Sequence, residues 1–189
     1  MDSSDIERDA TSHAVFSVAQ VFSSWTELKA AIGKYQQDKL CVLSKADTRT
    51  IEAAQKKCPN KSLNRDLKYC EAKFVCHHGG TYKSGRGKGM RPNQSTAKTG
   101  CPFKLQFWST LDGQMLQLRN STLEHNHKLS AEVYHHHPKQ RKLDSKDIKT
   151  ASAMLKLDPN RKLVRQHFVE KTGKPIVMKD IHHSNYRWC

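Results

Sequence analysis

Two cysteines and two histidines constrain this chain more than any other feature. Cys76 closes the segment "LKYCEAKFVC" (67–76). There Cys70, Ala72, Phe74 and Cys76 fall on one face, and Tyr69, Glu71, Lys73 and Val75 on the other. This period of two predicts a half-buried β-strand. Cys101 opens a second run, "CPFKLQFWSTLDGQMLQLRNSTLEHNH" (101–127). Phe103, Leu105 and Phe107 alternate in it, as do Leu116 and Leu118, and Asp112-Gly113 between them is a two-residue hairpin signal. His125 and His127 come where the last strand ends, two apart and therefore on one strand face. The spacing C-x24-C-x23-H-x-H thus brings two thiols and two imidazoles to one edge of an antiparallel sheet.

Two thiolates and two imidazoles suit a tetrahedral Zn2+. The protein fills all four positions and leaves none for a reactive water, so the ion is expected to be structural and not catalytic. Other side chains compete for the same role. Cys70 lies six residues before Cys76 and could replace it, although it would sit within the strand. His77 and His78 adjoin Cys76, and His135, His136 and His137 follow the sheet in a stretch that reads as a linker. Cys41, Cys58 and Cys189 have no partner at ligand spacing. The string "HNH" also invites a nuclease reading. That reading fails, because the residues that name such nucleases are spread over a ββα-metal motif, and carboxylates are sparse near this site.

Composition shows why a metal would matter. The chain has 189 residues, is 36% apolar and has a mean hydropathy of −0.79. A small core and some disordered sequence are expected. No apolar run approaches the roughly 20 residues that span a bilayer. The N-terminus "MDSSDIERDATSH" lacks the charged-then-apolar pattern of a signal peptide. The expected compartment is a reducing one, cytosol or nucleus, where six cysteines are thiols or metal ligands and not disulfides.

Charge is distributed unevenly. Residues 1–60 balance, residues 61–143 hold fifteen Lys and Arg against five acids, and residues 144–189 hold ten against five. The whole carries +15 at neutral pH, which attracts polyanions. No basic amphipathic helix points to a membrane surface.

Four segments are expected along the chain: a disordered tail over 1–14, a zinc-binding domain over 15–130, a basic linker over 131–144, and a helical segment over 145–189. "FSSWTELKAAIGKYQQDK" predicts a helix of about 14 residues with Ser24 and Glu27 as a capping box and Trp25, Leu28, Ile32 and Tyr35 as its apolar stripe. Residues 40–51 read as a strand or hairpin arm, and 52–66 as a polar connection turning at Cys58-Pro59. Residues 79–100 hold six of the nine glycines, five cations and no acid, a long flexible loop without the spacing of a phosphate-binding loop. In the last segment Ser145 caps one predicted helix, Pro159 starts a second, Gly173 ends it, and "PIVMKDIHHSNY" starts a third. The abrupt stop at Trp188-Cys189 leads us to expect a fragment of something longer.

The string "FVC…GCPFKLQFW…LEHNHKL" resembles the far-red-impaired-response type of DNA-binding domain, of the WRKY and glial-cells-missing zinc-finger superfamily. Such domains stand at the N-termini of Mutator-like transposases and of the zinc finger SWIM domain-containing protein 3 group, which this chain also resembles over roughly residues 22–130. A weaker likeness runs through "MLKLDPNRKLVRQHFVEKTGKPIVMKDI", similar to the segment joining that domain to a transposase core. The resemblance implies an α+β fold: a small four-stranded antiparallel sheet with zinc at one end, preceded by one helix and followed by a helical segment. It implies that a strand edge enters the major groove of double-stranded DNA, and that Cys76, Cys101, His125 and His127 are the ligands. Two departures stand out. The interval between the cysteines is 24 residues, far longer than in WRKY domains, and the basic glycine loop fills it. The WRKY heptapeptide that reads bases is absent.

The leading expectation is therefore a nuclear, zinc-stabilised DNA-binding module of transposase descent, with a role in transcription regulation. Phosphate contacts are expected from Lys83, Arg86, Lys88, Arg91, Lys98, Lys104, Arg119 and Lys128, and base contacts from Lys45, Thr48 and Arg49 on the 40–51 strand. One alternative is a domesticated protein-interaction module without DNA binding. Another adds a helix-turn-helix over 145–183 as a second DNA contact. A transposase active site would need a carboxylate triad in an RNase H-like fold, for which there is no room, so no enzyme activity and no small-molecule substrate are expected.

Overall fold

The computed structural model describes residues 16–81, 96–157 and 160–183; the expected N-terminal tail lies outside them. The chain divides into two compact units, Met1–Lys128 and Leu129–Cys189.

In the first unit, helix α1 (Trp25–Asp38) forms where the capping residues predict it. The Ser24 hydroxyl accepts the Glu27 N–H at 3.2 Å. The Glu27 carboxylate reaches one residue further back than a capping box requires, accepting the Ser23 N–H at 2.8 Å and its hydroxyl at 2.7 Å. These bonds, the Ser23 hydroxyl first, hold its carboxyl below the usual range. Leu28, Ile32 and Tyr35 are buried on one stripe.

That stripe covers one face of an antiparallel sheet built from β1 (Val21–Phe22), β2 (Leu43–Thr50), β3 (Tyr69–Cys76), β4 (Lys104–Ser109) and β5 (Leu116–Thr122), in the order β1-β5-β4-β3-β2. The sheet has five strands where four were expected. The fifth, β1, pairs Val21 with Gln117 and Phe22 with Leu116. At two residues it is too short to show any alternation in sequence. Strand β3 buries Cys70, Ala72, Phe74 and Cys76, as its pattern predicts. Phe107, fully buried, meets Phe16, Phe22 and Phe74 edge-on at ring distances of 6.0, 5.7 and 6.0 Å.

Two local expectations are corrected. The β4–β5 connection is six residues, Thr110 to Met115, and not a two-residue turn. Asp112 folds it inward by accepting from the Thr110 hydroxyl and from the Gln114 N–H at 3.2 Å. A neighbouring segment then packs against it: the Asn64 N–H donates to the Gly113 carbonyl at 3.0 Å. Gly113 has φ +74°, and a Cβ there would lie 2.1 Å from the Ser62 carbonyl oxygen, so only glycine fits. The second correction concerns 52–66. Ile51–Lys57 forms helix α2, capped by the Thr50 hydroxyl on the Ala53 N–H at 3.2 Å, and Arg65–Leu67 forms a 3-10 turn. The good helix formers of "EAAQKK" outweigh the polarity that reads as loop.

The second unit contains α3 (Ala131–His136), α4 (Ser145–Lys156), α5 (Arg161–Thr172) and α6 (Met178–His183). Helix α3 lies within the stretch read as a linker. Asp144, and not Ser145, is the N-cap of α4. Pro159 lies outside the described residues; Asn160 caps α5 with its side-chain oxygen on the Lys162 N–H at 3.0 Å, and Gly173 ends it in the left-handed region. Leu143, Ala151, Val164, Phe168, Ile176 and Ile181 form the core of this unit. Arg141–Asp180 and Lys171–Asp147 pairs, both at 2.6 Å, tie its elements together.

Candidate metal centre

Antiparallel pairing sets the site. Val75 lies opposite Lys104, and Lys104 opposite Thr122, so the end of β3, the start of β4 and the end of β5 share one end of the sheet. Cys76 ends β3, Cys101 sits three residues before β4, and His125 and His127 follow β5. The histidines occupy a bend beyond the strand, not alternate positions within it. They converge through different nitrogens. His125 Nδ1 lies 3.3 Å from His127 Nε2. Cys76 Sγ is 3.2 Å from His127 Nε2, and Cys101 Sγ is 3.4 Å from His125 Nδ1. All four donor atoms lie within 4.8 Å of one another. The cysteines are buried and the histidines half-buried, and the group could hold a metal ion.

The backbone around the cluster is stapled. The Gly79 N–H donates to the Cys76 carbonyl at 2.8 Å, and the Thr99 and Cys101 N–H groups share the His78 carbonyl at 2.9 and 3.2 Å. A Cβ on Gly79 would lie 3.0 Å from the Cys76 carbonyl oxygen and 3.3 Å from that of Cys101, so glycine lets the two cysteine segments meet. Asn126, between the histidines, donates to the Thr99 carbonyl at 3.0 Å and binds its hydroxyl at 3.3 Å. Phe103, fully buried, stacks on the His125 ring at 4.6 Å and 17°. The sequence reading missed these supporting roles of Gly79, Asn126 and Phe103. Only the adjacency of Gly79 and Asn126 to ligand positions could have flagged two of them.

The competing side chains stay out of the group of four, although His78 lies beside it. Cys70 is about 20 Å along the strand from Cys76 at the usual rise. Its thiol points to the Arg49 carbonyl at 3.5 Å. His78 directs Nδ1 to the Ala97 carbonyl at 2.6 Å, with its ring 4.3 Å from that of His127. His135 and His136 belong to α3, in the other unit. Cys41 is buried and outside the cluster; burial, then the nearby Cys76, pushes its thiol up to about 12.

The electrostatics describe a site that wants a cation. Burial raises the Cys76 thiol to about 11, against a favourable bond from the His78 N–H, with Cys101 raising it further. Burial lowers the His125 imidazole, helped by His127 and His78, so it is held neutral, the form that ligates. His125 turns Nδ1 to the other donors, and its Nε2, the other ring nitrogen, is buried without a partner among the described residues. A divalent cation among these four donors compensates what burial penalises, and so the donor set fits a metal.

A pH dependence follows. Folding lowers the His125 pKa, so the folded chain binds fewer protons than the unfolded one, and stability is lost as pH falls through the imidazole range, about 6.5 for a free side chain. Protons also compete with the metal for the same nitrogens. Circular dichroism at fixed metal concentration should show the sheet lost progressively below about pH 6.

Of the expected DNA contacts, Lys83, Arg86, Lys88 and Arg91 lie outside the described residues. Lys98 is exposed and donates to the His77 carbonyl at 3.0 Å beside the cluster. Lys104 is half-buried, and Lys128 and Arg119 are exposed. On β2, Lys45 donates to the Tyr69 hydroxyl at 2.8 Å and lies 4.4 Å from the ring centre; Arg49 pairs with Glu71 at 3.6 Å; Thr48 is exposed.

Fold and cluster together define the class: an α+β unit with a five-stranded antiparallel sheet that carries a Cys2His2 group at one end. The profile of the family described as zinc finger SWIM domain-containing protein 3, N-terminal, matches residues 16–127, and the chain belongs to that family. The match covers more than half the chain and contains all four residues of the group. No curated protein and no solved structure matches the chain.

Proposed function

We propose that Met1–Lys128 is a zinc-stabilised module that binds double-stranded DNA in the nucleus and descends from the DNA-binding domain of a Mutator-like transposase. The cluster geometry carries the zinc half of this reading. A tetrahedral ion with sulfur at about 2.3 Å and nitrogen at about 2.0–2.1 Å has N–N edges near 3.3 Å and S–N edges near 3.5 Å. The N–N separation here is 3.3 Å and two of the four S–N separations are 3.2 and 3.4 Å. Zinc takes this soft sulfur and imidazole donor set in closed structural sites.

The DNA half rests on the basic balance, on the family resemblance to WRKY-type domains, and on the position of β2. That strand is at the edge of the sheet, and its register breaks between Lys45 and Thr48. An edge strand with a bulge can be presented to a groove without dismantling the sheet. Phosphate contacts would come from the basic glycine loop and from Lys98, Lys104, Arg119 and Lys128. If six such contacts form, the logarithm of the binding constant should fall with the logarithm of salt concentration at a slope of about −5. Fluorescence anisotropy on random duplex DNA over a salt series measures it.

One observation favours a protein-interaction module instead. Lys45 and Arg49, two of three candidates for base contact, are already engaged within the unit, by Tyr69 and by Glu71. A salt-insensitive protein partner and no shift on duplex DNA would select that second reading.

A further inference from the structure

The sheet face opposite α1 carries a feature that zinc and a groove-reading edge do not use. Across it, Arg49 lies opposite Glu71, Glu71 opposite Trp108, and Trp108 opposite Gln117. Arg119 comes two residues after Gln117 and so shares that face. Helix α2 and the segment after it wall this row, leaving a cleft of about 330 Å3 whose lining includes Arg49, Lys57, Lys61, Glu71, Trp108 and Arg119. That is within the range of small-ligand sites, about 300–1,000 Å3.

Three properties of the cleft point to one ligand chemistry. First, Trp108 is 44% exposed on the central strand of the open face, so its ring is accessible for stacking. Second, the Arg119 guanidinium lies over the Trp108 ring, 5.5 Å from its centre, a cation–π pair that steadies the ring and sets a cation beside its other face. Third, the charge is one-sided. Glu71 is taken up by Arg49 at 3.6 Å. Lys57, Lys61 and Arg119 have no ion pair among the described residues, and Asp112, which feels Lys61, stays beyond ion-pair distance. An aromatic surface with surplus cations beside it suits a flat base joined to a phosphate.

We propose that this cleft is a second nucleic-acid site, taking a nucleotide of a single strand with its base on Trp108 and its phosphate between Lys57, Lys61 and Arg119. Base pairs in a duplex present only their edges, so an intact duplex cannot use this platform. The site lies on the open face and not on the outer edge of β2; it shares Arg49 and Arg119 with the proposed duplex contacts, so Trp108 and Lys61 are the residues that tell the two apart.

The test is anisotropy of the full chain with labelled oligo-dT, oligo-U and random duplex DNA, on wild type, Trp108→Ala, Trp108→Phe and Lys61→Ala. Zinc content and circular dichroism confirm that each variant is folded. Trp108→Ala should weaken single-strand binding roughly 5- to 150-fold, with duplex affinity changed far less. Trp108→Phe should keep most of the affinity, and Lys61→Ala should reduce the single-strand salt slope by about 0.7. Loss on oligo-dT and oligo-U alike supports stacking of a base irrespective of the sugar. Single-strand binding that ignores Trp108→Ala, or that is absent in wild type, overturns the proposal. Duplex binding that is absent while single-strand binding needs Trp108 overturns the proposed double-strand function and leaves this site standing.

Discussion

Chelation is expected to unfold residues 40–130, and Cys101→Ala or His127→Ala to do the same without a chelator. Structural zinc contributes on the order of 10–16 kcal/mol of apparent binding energy coupled to folding. The net stability of a small domain is only about 5–15 kcal/mol. Without the ion, two buried thiols and two half-buried imidazoles crowd one end of the sheet, and the few backbone bonds around them have to hold it alone. Cys70→Ala is the control, because its thiol lies outside the cluster and points at the Arg49 and Thr50 carbonyls, at 3.5 and 3.9 Å. Loss of strand ellipticity on chelation, restored by added zinc, is the expected readout. A ligand variant with an unchanged sheet would contradict it.

The second large effect is expected from Phe103→Ala. Phe103 is fully buried between the Tyr35 ring at 5.8 Å and the His125 ring at 4.6 Å. Truncating a buried phenylalanine costs about 3–5 kcal/mol. Here it also removes the platform that orients a candidate ligand, and lost support of that kind weakens metal affinity by about 10–100-fold. Denaturant midpoints and competition with a chromogenic chelator measure the two effects separately. Phe103→Leu, which keeps most of the volume, should recover stability ahead of affinity. A variant as stable and as tight as wild type would show that His125 is positioned by its own loop.

What was legible in the sequence had a period or a donor type behind it. Strand β3 alternates strictly, helix α1 has a stripe and a cap, and the four donor residues stand at the ends of the segments that the alternation defines. The structure gathers those four into one cluster. What escaped was decided by contacts between distant segments. β1 is two residues recruited by pairing with β5. The Asp112-Gly113 turn widens because the Ser62–Asn64 segment packs on it. The histidines converge from a bend, each through a different nitrogen, and strand phasing predicts neither. Helix α2 was hidden by polarity: its only buried residue is Ile51, and so no stripe marks it. The cleft on the open face was invisible for a similar reason. Trp108 reads as one more outward residue of an alternating strand until Arg119, α2 and Lys61 are brought around it.

The most direct measurement is X-ray absorption at the zinc edge on the purified chain, with elemental analysis of the same sample. One zinc per chain is predicted, with two sulfurs at about 2.3 Å and two nitrogens at about 2.0–2.1 Å. A folded chain without zinc, or a shell of three sulfurs that brings in Cys41 or of three nitrogens that brings in His78, would contradict the account.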